Sequence, residues 1–270
     1  MTTNDGHRHD LGLAHDIGNF APRDDSAAGL HVDRRRALLV LGGAGLALGL
    51  GAATRVRVTG GGYAATPQET AGPYPGDGSN GPNVLTKSAV VRRDIRSSFG
   101  GATAVAAGVP LTIRIRVTDV SDGNVPKPGA AVYLWHCDRD GRYSLYSSGV
   151  TDENYLRGVQ VANTKGWVTF KSIFPGCYVG RWPHIHYEVY PSLARAAKAS
   201  NKIATSQIAL PAAACKAAYA RSAYAASKAN LAQVSLTTDN VLSDGWKHEL
   251  ASVTGDNAKG YTATLVMAVG

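Results

Sequence analysis

Leu111-Thr112-Ile113-Arg114-Ile115-Arg116-Val117 places an apolar side chain at every second position. That is the period of a strand with one face in a core and the other toward water. Outward from it, Pro126-Lys127-Pro128-Gly129 turns the chain, and Ala131-Val132-Tyr133-Leu134-Trp135-His136-Cys137 follows as a nearly continuous apolar strand. Residues 138–141 supply another turn, and residues 166–170, 183–190, 205–210 and 263–269 read as further strands. The spacing predicts an all-β fold, a β-sandwich of mainly antiparallel strands with long loops. Residues 212–233, rich in Ala and Lys with Tyr219 and Tyr224 irregularly placed, read as one short helical segment or a compact loop. Residues 63–84 are turn-rich without helical period and read as an ordered arm. Trp135 and Trp167 are expected in the core.

The chain has 270 residues, 44% hydrophobic and 18% charged, enough for one substantial core behind a leader. Its net charge is +8, and outside residues 1–53 there are 23 Lys and Arg against 14 Asp and Glu. The basic residues are scattered singly, without a basic helix or an aromatic-interleaved motif, so nucleic acid is not an expected partner. An anionic substrate and a plain solvated surface both fit the charge.

The arginines of Asp33-Arg34-Arg35-Arg36 precede an uncharged stretch of 17 residues, 37–53, diluted by five glycines. This is the layout of a twin-arginine signal, short for a membrane span. The expected organisation is therefore residues 1–53 as disordered leader plus signal peptide and residues 54–270 as the sandwich domain. Export is expected, to a periplasmic, cell-surface or extracellular location, with no stable span after cleavage. Cys137, Cys177 and Cys215 make an odd count. In an oxidised compartment the simplest expectation is one disulfide and one free thiol, with the pairing open and an all-reduced state also possible.

The chemistry begins at Pro183-His184-Ile185-His186-Tyr187-Glu188-Val189-Tyr190. In a strand His184 and His186 project to one side while Ile185, Tyr187 and Val189 enter the other, so two imidazoles can converge on one cation. The plain alternative is a hydrogen-bonded pair of strand histidines. Tyr178, in Phe174-Pro175-Gly176-Cys177-Tyr178, and Tyr143, in Asp140-Gly141-Arg142-Tyr143, each sit at a turn that can aim a side chain inward. Taken singly, each reads as an ordinary half-buried tyrosine.

From about residue 66 onward the chain resembles the intradiol ring-cleavage dioxygenases, in particular their compact secreted branch. The resemblance is carried by Glu69-Thr70-Ala71-Gly72-Pro73-Tyr74, Trp135-His136-Cys137-Asp138, Gly141-Arg142-Tyr143-Ser144 and Leu156-Arg157-Gly158-Val159-Gln160. It continues through residues 174–178, Gly180-Arg181, His184-Ile185-His186 and Thr205-Ser206-Gln207, in that order. It implies a ferric iron, Fe(3+), held by Tyr143 and His184 as equatorial and Tyr178 and His186 as axial ligands. It further implies that Tyr178 leaves the metal and accepts a substrate proton, that Arg181 stabilises negative charge, and that Gln207 is an active-site polar residue. The implied activity is O2-dependent cleavage of a small catechol-type aromatic diol to a cis,cis-muconate-type diacid. Phenolates are hard anionic donors suited to Fe(III), whereas zinc more usually takes His, Cys or carboxylate sets.

Arg157 is expected either to pair with a core carboxylate or to orient the loop around Tyr143, and His136 and Asp138 to orient ligands, with Cys137 facing away. The five-residue connection from Tyr178 to His184 and the lack of a helical linker domain leave the diol open among catechol, hydroxyquinol, protocatechuate and larger lignin-related diols. A homodimer is possible at family level. The competing reading is a secreted β-sandwich binding module of the same fold without dioxygenase activity.

Overall fold

The computed structural model describes residues 64–270, and the leader, the arginines and the apolar stretch of residues 1–53 lie outside them. Two sheets stack. The first contains β1 (Pro110–Asp119), β2 (Val125–Pro126), β5 (Trp167–Ile173), β8 (Ser252–Asp256) and β9 (Gly260–Val269). Its order is β2-β1-β9-β8, with β5 also paired to β1. The second contains β3 (Ala131–Trp135), β4 (Arg157–Val161), β6 (His184–Tyr190) and β7 (Ala204–Ala209), in the order β4-β3-β6-β7. All pairings are antiparallel except β1 with β9, which is parallel and sets Ile113 beside Ala263 while Phe170 of β5 flanks it antiparallel. The sandwich is the expected one, with β4 and β8 as additional strands.

The alternation of β1 does what its pattern predicts. Leu111, Ile113, Ile115 and Val117 are buried against Val132, Leu134, Ile185, Tyr187 and Val189 of the second sheet. Each such aliphatic contributes about 1.5–3 kcal/mol by leaving water. Strands β3 and β6 are buried at every position, because the outer face of the second sheet is covered too. There Ala131, Tyr133, Trp135 and Tyr190 pack under Val84, Leu85, Val90, Ala71 and Tyr74 of the preceding chain. The arm is ordered as expected, with the Thr66 amide donating to Ala268 O and the Glu69 amide to Thr205 O.

The helical stretch is two short helices, α1 (Ala212–Ala218) and α2 (Ala225–Leu231), joined by a turn. The break arises because Tyr219 and Tyr224 both turn inward, stacked at 5.5 Å. Their hydroxyls donate to Pro175 O and Phe174 O, which pins the chain just before Tyr178. Trp167 departs from expectation: it is half-buried on the outer side, with the Arg114 guanidinium 4.7 Å from its ring centroid.

No disulfide forms, since all three cysteines are free and buried. The thiols of Cys137, Cys177 and Cys215 turn to separate carbonyls, those of Gly176, Arg181 and Leu210. Burial pushes the Cys177 thiol up to about 12, away from thiolate chemistry.

Candidate metal centre

On the outer face of the second sheet, β6 directs His184 and His186 to the same side, and their Nε2 atoms lie 3.1 Å apart. Two turns complete the group. Tyr143 follows the turn after β3, and its hydroxyl lies 3.4 Å from His184 Nε2. Tyr178 follows β5, with its hydroxyl 3.3 Å from His184 Nε2 and 3.5 Å from the Tyr143 hydroxyl. Tyr143 and His184, 41 positions apart in the chain, are thus brought together. Gly72 of the arm, at φ +67, lies over His186, where a Cβ would come to 3.4 Å from Cε1.

These separations are long for O–H···N hydrogen bonds, which sit near about 2.8 Å. They match donors sharing one ion: ligands at about 2.0–2.1 Å lie roughly 2.8–3.0 Å apart at right angles and roughly 3.3–3.4 Å apart at tetrahedral ones. The histidines are prepared as ligands. His184 Nδ1 donates to Trp182 O at 2.5 Å, since a carbonyl can only accept, and this leaves Nε2 with its lone pair toward the centre. His186 is stacked on Trp135, the rings 5.0 Å apart and tilted by 4°, and its buried Nδ1 has no hydrogen-bond partner. Burial, then the positive charge of Arg181 for His184 and the repulsion a protonated His184 would exert on His186, holds both imidazoles well below their usual range and therefore neutral. Among the described residues no group of three or more His, Cys, Asp or Glu could hold a metal. A centre here therefore draws on the tyrosines. Burial raises both phenols above their ordinary value, and the Arg181 guanidinium works against that rise. A hard trivalent cation would complete the shift to phenolate, so the donor set fits ferric iron.

Arg181 is 6% exposed and held from two sides. Its Nε donates to Asp239 Oδ2 at 3.0 Å and its Nη2 to Gln207 Oε1 at 2.6 Å. Gln207 Nε2 in turn donates to Thr70 O of the arm. Gln207 thus lies beside Arg181 and supports its guanidinium. Asp239 was invisible to sequence reasoning, lying 58 positions away in an irregular loop.

Arg157 meets no carboxylate; it takes the second of its two expected roles. Nε donates to Ser144 Oγ, Nη1 to Pro75 O and the Tyr133 hydroxyl, and Nη2 to Tyr74 O and Ser144 O. It ties the arm to the loop carrying Tyr143, next to Leu145 at φ 75. His136 departs from expectation. It faces away from the centre, with its ring nitrogens on Cys137 O and Ser172 Oγ, while Cys137 lies on the Tyr143 side. The reason is strand alternation, which sends Trp135 and Cys137 to the outer face and His136 inward. Asp138 orients no ligand directly; it accepts from the amides of Asp140 and Arg142, shaping the turn before Tyr143.

Below Gln207, the carboxyl of Glu249 is buried with Ser206 Oγ on one oxygen and nothing on the other. Burial, then the charge of Glu69, pushes it up to about 8. An unfolded-chain carboxyl titrates near 4.3, so the native state holds a proton that the unfolded chain loses between those values. The stability contribution is full below the lower value and lost as pH rises through the upper one. Glu249→Gln is therefore expected to flatten the fall in unfolding free energy between pH 5 and 8, by on the order of 2 kcal/mol. Urea titrations at both pH values check this, and parallel slopes for variant and wild type would refute it.

The fold and the site together define an all-β sandwich that gathers two tyrosines and two histidines on its arm-covered face. Residues 80–186, which contain all four of these side chains, match the family model described as Dioxygenase. Chlorocatechol 1,2-dioxygenase of Rhodococcus opacus is 32% identical over 91 residues, covering 30% of this chain and 35% of that protein. Catechol 1,2-dioxygenase of a Pseudomonas species is 38% identical over 53 residues, 20% of this chain and 17% of that protein. The matched stretches thus span about a third or less of those relatives. An intradiol ring-cleavage dioxygenase from Tetranychus urticae superposes with a TM-score of 0.62 at 23% identity, covering 77% of this chain and 95% of that one. By its matched segment and its fold the chain is similar to the intradiol ring-cleavage dioxygenases.

Proposed function

We propose that the protein is a ferric-iron-dependent dioxygenase that cleaves a catechol-type diol with O2 between its hydroxylated carbons, giving a cis,cis-muconate-type diacid. The observation carrying this reading is the gathering of the other three donor atoms 3.1–3.4 Å from His184 Nε2, with the two tyrosine hydroxyls 3.5 Å apart, separations suited to one shared ion. Tyr143, Tyr178, His184 and His186 would hold the iron, which supplies Lewis acidity toward the diol and draws electron density from its ring.

The chain's own residues account for the rest. His184 is held by Trp182 O and His186 by the Trp135 ring, so these two ligands stay in place. Tyr143 is buried, whereas Tyr178 is half-buried at the outer edge, so Tyr178 is the side chain that swings away when a diol arrives. Its phenolate oxygen then takes one proton from the substrate hydroxyl. Arg181 lies close enough to both tyrosines to act on their charge, and its fixed guanidinium stabilises negative charge as it builds on the bound ring. Trp135, Tyr74 and the Gly72 backbone close the site from the sheet and arm sides, which limits water.

Tyrosinate-to-iron charge transfer gives the iron-loaded protein a red-brown colour, and the protein is expected to consume O2 with catechol. Tyr178→Phe should weaken that colour and lower turnover by about 100-fold, the general size of a lost proton-transfer group. A colourless protein carrying stoichiometric zinc, or one that takes up no O2 with any diol, would sink the reading and favour the binding module.

A further inference from the structure

The cation beside the site is not free. Asp239, fully buried, uses Oδ2 to accept from Arg181 Nε and from the Trp182 amide at 2.6 Å. Its Oδ1 accepts from the amides of Val241 and Leu242 at 2.9 Å each, which fixes the carboxylate to its own loop. Gln207 holds the other edge of the guanidinium. A second carboxyl, Glu69, lies near enough to feel Arg181: burial and then Asp244 push it up to about 7, with Arg181 acting in the opposite direction. The Arg181 guanidinium thus has Asp239 as its ion-pair partner and Glu69 as a more distant acidic neighbour. The other guanidinium acting on the ligands, Arg157, is 1% exposed, with its N–H groups on Ser144, Tyr74, Pro75 and Tyr133 oxygens. Arg157 is therefore fully engaged, and Arg181 meets the site with two of its three nitrogens already taken and its charge opposed by Asp239.

We infer that Asp239 is a positioning residue that sets the direction and offsets part of the charge of Arg181, and so makes the site favour diols without a ring carboxylate. This rests on the reading of the centre as a diol-cleaving iron site. A carboxylate brought to this side would meet an arginine already opposed by Asp239 in a largely dry site and would lose its own hydration there. A neutral diol avoids both penalties, while the immobilised guanidinium still acts on charge that develops during reaction.

The test uses the iron-loaded protein at pH 8, with catechol and 3,4-dihydroxybenzoate as paired probes. Anaerobic titration of the charge-transfer band gives binding constants, and O2 uptake gives kcat and KM. Wild type should favour catechol in both readouts. Asp239→Asn should shift the binding ratio by about ten-fold toward the carboxylated diol, while kcat for catechol falls and its KM changes little. Because Asp239 also serves three backbone amides, its variant is paired with Glu69→Gln, whose side chain is half-buried. That variant should move the ratio the same way by a smaller factor. Equal losses for both diols in Asp239→Asn, an unchanged ratio in Glu69→Gln, or a wild type that prefers 3,4-dihydroxybenzoate would each overturn the inference. A wild type with no charge-transfer band and no O2 uptake would instead remove the iron reading, and this inference with it.

Discussion

His184→Ala is expected to leave a folded protein that retains less than about a tenth of the wild-type iron and has lost about 1000-fold or more of its diol-dependent O2 uptake. His184 is the hub of the donor group, its Nε2 lying 3.1–3.4 Å from the donor atoms of His186, Tyr178 and Tyr143. Substitution of residues that merely orient a metal ligand already costs 10–100-fold in affinity, so loss of a ligand at the hub should cost more. The fold should survive, because the outer cluster around Tyr133, Trp135 and Tyr190 and the inner core of Ile185, Tyr187 and Val189 are untouched. Removing the buried ring leaves a cavity costing about 1–3 kcal/mol. Elemental analysis per chain, circular dichroism and an oxygen electrode read the three consequences. Full iron occupancy in the variant would exclude His184 as a ligand.

The second large effect is on stability. Arg157→Leu should lower the unfolding free energy by about 3–5 kcal/mol. The guanidinium satisfies five acceptor contacts, on Tyr74 O, Pro75 O, the Tyr133 hydroxyl, Ser144 O and Ser144 Oγ. A leucine leaves most of them buried without a donor, at about 1–3 kcal/mol apiece before relaxation and water entry. It also frees the arm from the loop of Tyr143, whose neighbour Leu145 holds a left-handed backbone at φ 75. Chemical denaturation measures the loss, and a midpoint within about 0.5 kcal/mol of wild type would show that the network does not hold arm and loop together. Arg157→Lys separates charge from geometry, because a lysine keeps the charge but cannot reach the same fork of acceptors.

Much of the fold was open to reading from residues alone. The alternation of Leu111 to Val117 marked a strand half in the core, and that is how β1 lies. The continuous apolar run of Ala131 to Trp135 read correctly as a strand, but its cause, an outer face covered by residues from Ala71 to Val90, required the tertiary structure. Of the two cysteine states the sequence left open, the reduced one is found, because parity says nothing of where thiols point and each of these points at its own carbonyl. His136 and Cys137 were assigned to the wrong faces because the strand was read from the histidine rather than from Trp135, which the pairing with His186 fixes to the outer side. The helical segment was legible in kind but not in its break, which depends on the carbonyls that Tyr219 and Tyr224 reach.

By itself the sequence determined that His184 and His186 share a face, since side chains in a strand repeat every two residues whatever surrounds them. It also placed Tyr143, Tyr178 and Arg181 within turns and blocks whose order resembles the intradiol enzymes. Only the tertiary structure decided who holds Arg181 and what Arg157 holds. Asp239 reaches Arg181 across 58 positions and Arg157 reaches Tyr74 across 83. A local pattern dictates the direction of a side chain relative to its own backbone. Which polar group waits for it there is settled when distant segments close together and every buried donor must find an acceptor.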